Sequence, residues 1–229
     1  MRFEKYLIEA KELNAKKVPL DKARKYAESV FEENGKTLNE VLPDFDKNYM
    51  ALQSLYKKHA LGVKRIDMPV IEPEDMKTFD ERLKSGKIDL FKPHTFGKAV
   101  FPKNFSTIDK IDWLELGEKD GDPNDDKLKA KWGMKQAKDL KPLQSEVWLE
   151  KLANNIAKFG KPSSSSPVVK TTIIVSKEGY ILDGHHRHGQ VMLADPSLKM
   201  KALIIPLDIK TLLKMGKSYG EAIGNKGKA

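Results

Sequence analysis

The chain has 229 residues, contains no cysteine and carries a formal net charge of +9. Without cysteine it can form no disulfide and has no thiolate for catalysis, so disulfide-built domains and cysteine nucleophiles are excluded. No apolar run approaches the length of a bilayer span and the first residues do not resemble a secretory signal, so we expect a cytoplasmic protein with no membrane partner. The positive charge favours anionic partners, with nucleic acid ahead of membrane.

Residues 1–64 are predicted to form a helical N-terminal region. Helices are expected at residues 3–15, 22–33 and 46–60. Asp21, after a break at Pro19, is the expected cap of the second helix, and Asn34-Gly35 ends it. The aromatic and methionine side chains of the third helix are expected to pack rather than to bind a ligand.

Residues 65–126 are predicted to be an accessory segment. We expect a strand at residues 65–71, a helix at residues 74–83 and an irregular stretch at residues 91–116. Ser85-Gly86 should end the helix. The acidic run at residues 118–126 is typical of a linker. It is not expected to bind calcium, because it lacks the glycine and the glutamate that a calcium loop needs at fixed positions.

Four lysines recur at helical spacing around Trp132: Lys127, Lys131, Lys135 and Lys138. This spacing predicts a helix with one basic face. Such a face could follow a phosphate backbone, but a solvated lysine face is the more common case.

The most informative feature is the segment from Leu182 to His188, which holds three of the five histidines and an arginine directly behind a glycine. Residues 168–175 and 180–182 are expected to pair as a hairpin, and a helix should follow as far as Asp195-Pro196. Asp183 is the expected N-cap of that helix, and Gly184 lets the backbone approach a ligand closely.

The helix start in this segment predicts a phosphate cradle with acid and base groups at its rim. The free N–H groups of a helix start carry partial positive charge and bind phosphate. Arg187 adds a planar donor fork, and His185 and His186 can accept, donate or shuttle protons near neutral pH. Two other interpretations stay open: a metal site, for which no complete ligand set is visible, and a capped helix start with solvated histidines.

A second motif lies upstream, where Leu140 to Glu146 precedes a predicted helix from Trp148 that ends at Gly160. Together with Gly184-His185-His186-Arg187, this box resembles the ParB/sulfiredoxin superfamily, whose members hold nucleotide phosphates at such a strand-to-helix junction. Residues 201–207 fit the next core strand of that fold, so the resemblance covers about residues 138–210. It implies an α/β (α+β) protein in which residues 127–229 form a small mixed sheet with helices, preceded by the helical N-terminal extension.

The chain departs from the two better-known branches of this superfamily at positions that argue against membership of either. Sulfiredoxins need a cysteine where this chain has His185, so peroxiredoxin repair is excluded. Partitioning ParB proteins carry two arginines at the positions of His186 and Arg187, followed by a helix-turn-helix region for which we expect too little chain. The order Asp-Gly-His-His-Arg resembles instead the ParB-like nuclease group common in phage and plasmid proteins, which would place the protein in a host cytoplasm if it is phage-encoded.

This branch implies a nucleic-acid-associated, nuclease-like protein, with a homo-oligomer as a further expectation. The residues that this resemblance implies for binding phosphate or nucleotide are Gly184, His186, Arg187 and His188. The implied catalytic residues are Glu146, Asp183, His185 and His186. Asp183 is also a candidate ligand of Mg²⁺, and ATP or CTP is a candidate nucleotide.

Two alternatives stay open at this stage. Free serine kinases share this fold and use a glutamate from the box and the motif aspartate in phosphoryl transfer; Glu146 and Asp183 are the matching positions. The chain could thus be an ATP- or ADP-dependent small-molecule kinase or a nucleotide hydrolase. It could also be a non-catalytic phage structural or assembly protein that keeps the fold. The sequence therefore does not decide whether the protein is an enzyme.

Overall fold

The computed structural model of the chain describes residues 13–90, 104, 106–116 and 124–225. These residues contain nine α-helices and five strands, which confirms the mixed α/β class with a helical N-terminal region. The helices are α1 (Leu20–Glu33), α2 (Leu38–Val41), α3 (Phe45–His59), α4 (Met76–Ser85), α5 (Thr107–Leu116), α6 (Leu149–Phe159), α7 (Pro167–Lys170), α8 (His185–Ala194) and α9 (Ile209–Ala222). The strands are β1 (Lys131–Gln136), β2 (Lys141–Pro142), β3 (Ile173–Ser176), β4 (Tyr180–Asp183) and β5 (Lys199–Ile205). Within this described part, no helix is long and apolar enough to cross a bilayer.

The five strands form a mixed sheet in the order β1-β5-β3-β4-β2. β3 and β4 are antiparallel, with Ile174 opposite Asp183, and β3 runs parallel to β5, with Ile173 opposite Ala202. All four residues of β3 are buried, as expected for a central strand covered on both faces. The predicted hairpin is therefore confirmed, although the first three residues of its predicted strand, 168–170, lie in the helical turn α7, which Pro167 begins.

Two compact units can be distinguished among the described residues. Unit 1 comprises the residues up to Gly62, Lys135–Thr171 and Gly184–Met200. Unit 2 comprises Val63–Met134, Thr172–Asp183 and the residues from Lys201 onward. The division at residues 1–64, 65–126 and 127–229 stays a prediction.

Unit 1 is built around the helices α1, α3, α6 and α8. α1 packs on α3 and α6, and α8 packs on α3 and α6. The buried residues of α1 are Ala23, Ala27, Val30 and Phe31, the one-sided spacing of an amphipathic helix. α1 begins directly after Pro19, so the prediction that Asp21 caps it is wrong. Asp21 lies in the first turn instead, where its charge still complements the helix dipole.

Unit 2 contains α4, α5 and α9 together with β3 and β4. α4 ends at Gly86, which takes a left-handed φ of 73°, close to the predicted end. The rings of Phe79 and Tyr219 lie 4.6 Å apart, and Arg82 donates hydrogen bonds to the Tyr219 hydroxyl and to Glu115. These contacts fix α9, which was not predicted, against α4 and α5.

Several predictions outside the motifs are wrong. Residues 65–71 form a 3-10 turn at Arg65–Asp67 rather than a strand, and Pro69 could not donate to a strand ladder. Residues 107–116 form α5, whereas 91–103 lie outside the described residues. The missed signal is Ser106, whose hydroxyl accepts from the Asp109 N–H while the Asp109 carboxylate accepts from the Ser106 N–H.

The predicted basic helix face is also wrong, because residues 131–136 form β1. Gly133 disfavours a helix there, and a strand sends Lys131 and Trp132 to opposite faces. Of the other predicted segments, residues 3–12 and most of the acidic run lie outside the described residues, and residues 13–15 form a bridge and a turn. Asp126, at the end of that run, is buried and accepts a hydrogen bond from the Leu90 N–H.

Candidate phosphate-binding site

The histidine-rich motif lies where β4 passes into α8. Gly184 takes the N-cap position with a φ of 106°, a left-handed conformation that side chains other than glycine rarely adopt. The prediction that Asp183 caps α8 is therefore wrong, because Asp183 remains in the strand ladder opposite Ile174. Since glycine has no side chain, no cap side chain satisfies the first N–H groups of α8.

Burial divides the motif into two classes of side chain. His185 is 3% exposed and His188 is fully buried, whereas Gly184, His186 and Arg187 are half-buried. His185 and His188 are three residues apart and so share one face of the helix. The structure thus leaves His186 and Arg187 as the motif side chains of α8 that a ligand can reach.

The buried face of α8 packs closely on α6 and on the segment before it. A methyl group added at Gly189 would lie 3.0–3.1 Å from the side chains of Leu152 and Val147, tighter than ordinary van der Waals contact. A side chain at this position would push the two elements apart. Gly189 therefore permits the close approach that brings the upstream box to the start of α8.

The His185 imidazole connects that box to the helix. Its Nε2 accepts hydrogen bonds from the N–H groups of Leu143 and Gln144, at 3.0 and 3.1 Å. Because Nε2 is the acceptor, the ring proton of the neutral form is on Nδ1. Burial lowers the pKa of His185 well below its usual value, and the neighbouring His188 and His186 add to this effect. A neutral His185 thereby satisfies two buried backbone donors.

His188 makes a second connection of the same kind. Its Nε2 lies 2.8 Å from the carbonyl oxygen of Ala137, to which it donates, and Nδ1 is buried without a hydrogen-bond partner among the described residues. Burial lowers the pKa of His188 to about 4, partly opposed by the bond to Ala137. The predicted roles of His185 in proton transfer and of His188 in phosphate binding stay predictions, but the contacts of both rings are structural.

We expect the stability of the protein to fall as the pH is lowered from about 6.5 to about 4. The unfolded chain takes up a proton at the ordinary histidine pKa of about 6.5, whereas folded His188 does so only at a pKa of about 4. In this window the unfolded state binds more protons, so the free energy of unfolding decreases on acidification. The difference corresponds to about 3 kcal/mol for His188, and the lowered pKa of His185 acts in the same direction.

Urea denaturation over this pH range, for the wild type and His188→Gln, measures the effect. The glutamine amide can still donate to Ala137 but does not titrate, so the variant should show a shallower pH dependence. Equal slopes for the two proteins would mean that His188 is not responsible.

His186 and the box segment meet at the start of α6. The N–H of Trp148, the residue before α6, lies 3.5 Å from His186 Nε2 and forms a long hydrogen bond to it. Glu146, two residues earlier, is half-buried. The structure therefore places His186 against the box that carries Glu146, and Arg187 follows His186 in the first turn of α8.

The ligand set for a metal ion is incomplete at this site. No group of three or more histidine, cysteine, aspartate or glutamate side chains among the residues described in the structure could hold a metal ion. A single carboxylate such as Asp183 suits Mg²⁺ only where phosphate oxygens and water complete the shell. The Mg²⁺ role of Asp183 stays a prediction.

Each of the three motif histidines bonds to a backbone group of a distant segment, and sequence reasoning missed these contacts. The N–H groups of Leu143 and Gln144 and the carbonyl of Ala137 carry no signal in the sequence. Gln144 is itself buried, and its side-chain nitrogen has no hydrogen-bond partner in the described part of the chain.

Comparisons of the chain with models of protein families, with curated proteins and with solved structures gave no match. The resemblance to the ParB/sulfiredoxin superfamily therefore rests on the two motifs alone and stays a prediction.

Proposed function

We propose that unit 1 binds phosphate groups of nucleic acid, or of a nucleotide, at the start of α8, and that the protein acts in a nucleic-acid-associated role. The observation that carries the proposal is that the motif contains both buried structural side chains and accessible ones. Buried, neutral His185 holds the box against the helix, while His186 and Arg187 stay accessible beside N–H groups that no cap side chain satisfies.

This arrangement suits a phosphate anion on chemical grounds. The N–H groups at the start of a helix carry partial positive charge, and Gly184 leaves their approach free of a side chain. The guanidinium of Arg187 can form two parallel, charge-assisted hydrogen bonds to phosphate oxygens. His186 adds an imidazole whose second ring nitrogen, Nδ1, can bond to a phosphate oxygen when it carries the ring proton. If Mg²⁺ accompanies the phosphate, Asp183 is the residue that would contribute a carboxylate, and the ion would neutralise phosphate charge.

The charge of the chain supports nucleic acid over a free nucleotide. The formal net charge is +9, which attracts a polyanion at long range. The resemblance to the ParB-like nuclease group supports the same choice.

Binding to duplex DNA, single-stranded DNA, ATP and CTP, each titrated with Mg²⁺ at two salt concentrations, tests the proposal. We expect saturable binding to DNA that weakens steeply with salt, because phosphate contacts release counterions. Cleavage of the DNA in the same samples would support the nuclease branch. A folded protein that binds none of these compounds would overturn the proposal and favour the structural or assembly alternative.

A second candidate function is phosphoryl transfer to or from a small molecule. The observation that favours it is the half-buried carboxylate of Glu146, in the box that His185 holds to α8. Such a group could accept a proton from an attacking hydroxyl.

Glu146→Gln is expected to abolish any nucleotide turnover while leaving nucleotide affinity within about twofold, because the variant loses the base but keeps the phosphate contacts. Turnover is followed as phosphate release under saturating nucleotide. The matched control is Glu150→Gln, which removes another half-buried carboxylate on α6 and should leave turnover unchanged. Full turnover in Glu146→Gln would eliminate this candidate function.

A further inference from the structure

β1 presents apolar side chains to solvent at the edge of the sheet. It is the outermost strand next to β5, and Trp132 and Met134 are 41% and 54% exposed. Because they are two residues apart in a strand, both side chains lie on the same face. An exposed indole on a sheet edge is a surface that an aromatic partner can cover.

One lysine lies over this indole, and two more lie close to it in the chain. The Lys201 ammonium lies 5.1 Å from the centre of the Trp132 ring, within the range of a cation–π contact. Lys129 and Lys131 are exposed, and alternation along the strand places Lys131 on the opposite face from Trp132. A chain lying along the edge of β1 would therefore meet cations on both of its sides.

The indole is held in one orientation. Its Nε1 donates a hydrogen bond of 2.8 Å to Asp80, and the same carboxylate oxygen lies 2.6 Å from Lys84, which balances its charge. With one edge bonded and Lys201 near the ring, Trp132 is a fixed platform rather than a freely rotating side chain. A fixed platform loses little conformational entropy when a ring stacks on it.

We infer that this β1 surface, formed by Lys129, Lys131, Trp132, Met134 and Lys201, binds single-stranded nucleic acid. A base would stack on the exposed part of Trp132, and the lysines would neutralise the backbone phosphates on both sides of the strand edge. A single strand fits better than a duplex, because the bases of a duplex are already stacked. The inference rests on the proposed nucleic-acid-associated function, but it concerns residues of unit 2 alone.

The test is binding of a fluorescently labelled oligothymidine, measured by anisotropy. Trp132→Ala should weaken binding about tenfold, because the variant loses the ring on which a base stacks. Trp132→Phe should retain most of the affinity, since it keeps a stacking ring. Lys131→Ala and Lys201→Ala should each reduce the slope of log affinity against log salt by about 0.7.

The matched control is Phe159→Ala. Phe159 is 76% exposed with Lys158 at 5.3 Å from its ring, so it reproduces the ring and lysine pair on a helix instead of a strand edge. This variant should bind like the wild type. Thermal melting of each variant establishes that it is folded, and quenching of intrinsic tryptophan fluorescence by the oligonucleotide should be smaller in Trp132→Phe than in the wild type.

Failure of this inference can be told apart from failure of the proposed function. If Trp132→Ala binds oligothymidine as the wild type does, while Arg187→Ala is defective, the β1 surface is not a nucleic-acid site and the α8 site stands. If Trp132→Ala is defective and Arg187→Ala is not, the β1 surface is a nucleic-acid site and the start of α8 is not. Equal competition by an oligoglutamate peptide, without quenching, would overturn the inference in favour of general attraction of anions.

Discussion

Replacing Arg187 with alanine is expected to weaken the binding of DNA or nucleotide at least tenfold. Hydrogen bonds to charged groups contribute about 1.5–3 kcal/mol each, and the guanidinium is the motif's permanently charged donor. Arg187→Lys should recover only part of the loss, because an ammonium cannot form the two parallel bonds of a guanidinium. Calorimetric titration with ATP, CTP and DNA in Mg²⁺ measures the affinities.

Lys25→Ala is the matched control for this substitution. Lys25 is exposed on α1, so the variant loses one positive charge without touching the motif. It should bind within about twofold of the wild type at moderate salt, where exposed charges are screened. If both variants lose affinity equally, binding depends on net charge and not on the start of α8.

Replacing His185 with alanine is expected to lower the free energy of unfolding by about 3 kcal/mol or more. The change removes a buried ring and leaves two backbone donors, the N–H groups of Leu143 and Gln144, without their acceptor. His185→Gln should be less destabilising, since its carbonyl oxygen can accept from at least one of them. Urea denaturation at neutral pH measures both.

His59→Ala serves as the control for His185→Ala, because His59 is a half-buried histidine at the end of α3. A surface substitution of this kind should change stability by about 0.5 kcal/mol or less. If His185→Ala is as stable as His59→Ala, the imidazole does not connect the box to α8. If it is destabilised but binds phosphate normally, the connection is not needed for the site.

The sequence predicted those elements whose signal is local. The hairpin of β3 and β4, the helix after it, and α6 with its end at Gly160 follow from β-branched apolar runs around a turn, helical spacing and a terminal glycine. Gly160 indeed takes a positive φ of 88°. The same local reasoning predicted Asp183 as the cap of α8, whereas Gly184 occupies that position. The left-handed backbone conformation there favours glycine.

Tertiary contacts decided what the sequence could not. All three motif histidines look equivalent in the sequence. In the structure, however, His185 and His188 are buried and form hydrogen bonds to backbone groups about 40 to 50 residues away in the chain. The lysine spacing around Trp132 matched a helix, but pairing with β5 makes that segment an edge strand. Periodicity cannot reveal a partner strand or a distant N–H group.

The most direct test of the central claim is to locate the bound phosphate by NMR. Backbone amide signals of ¹⁵N-labelled protein are followed during titration with ATP and then with DNA. Within unit 1, the largest shift changes are expected on Gly184, His185, His186 and Arg187, at the start of α8. Shifts confined to another part of unit 1, such as the open cleft that Lys47, Lys138 and Lys161 help to line, would contradict it, as would the absence of any change.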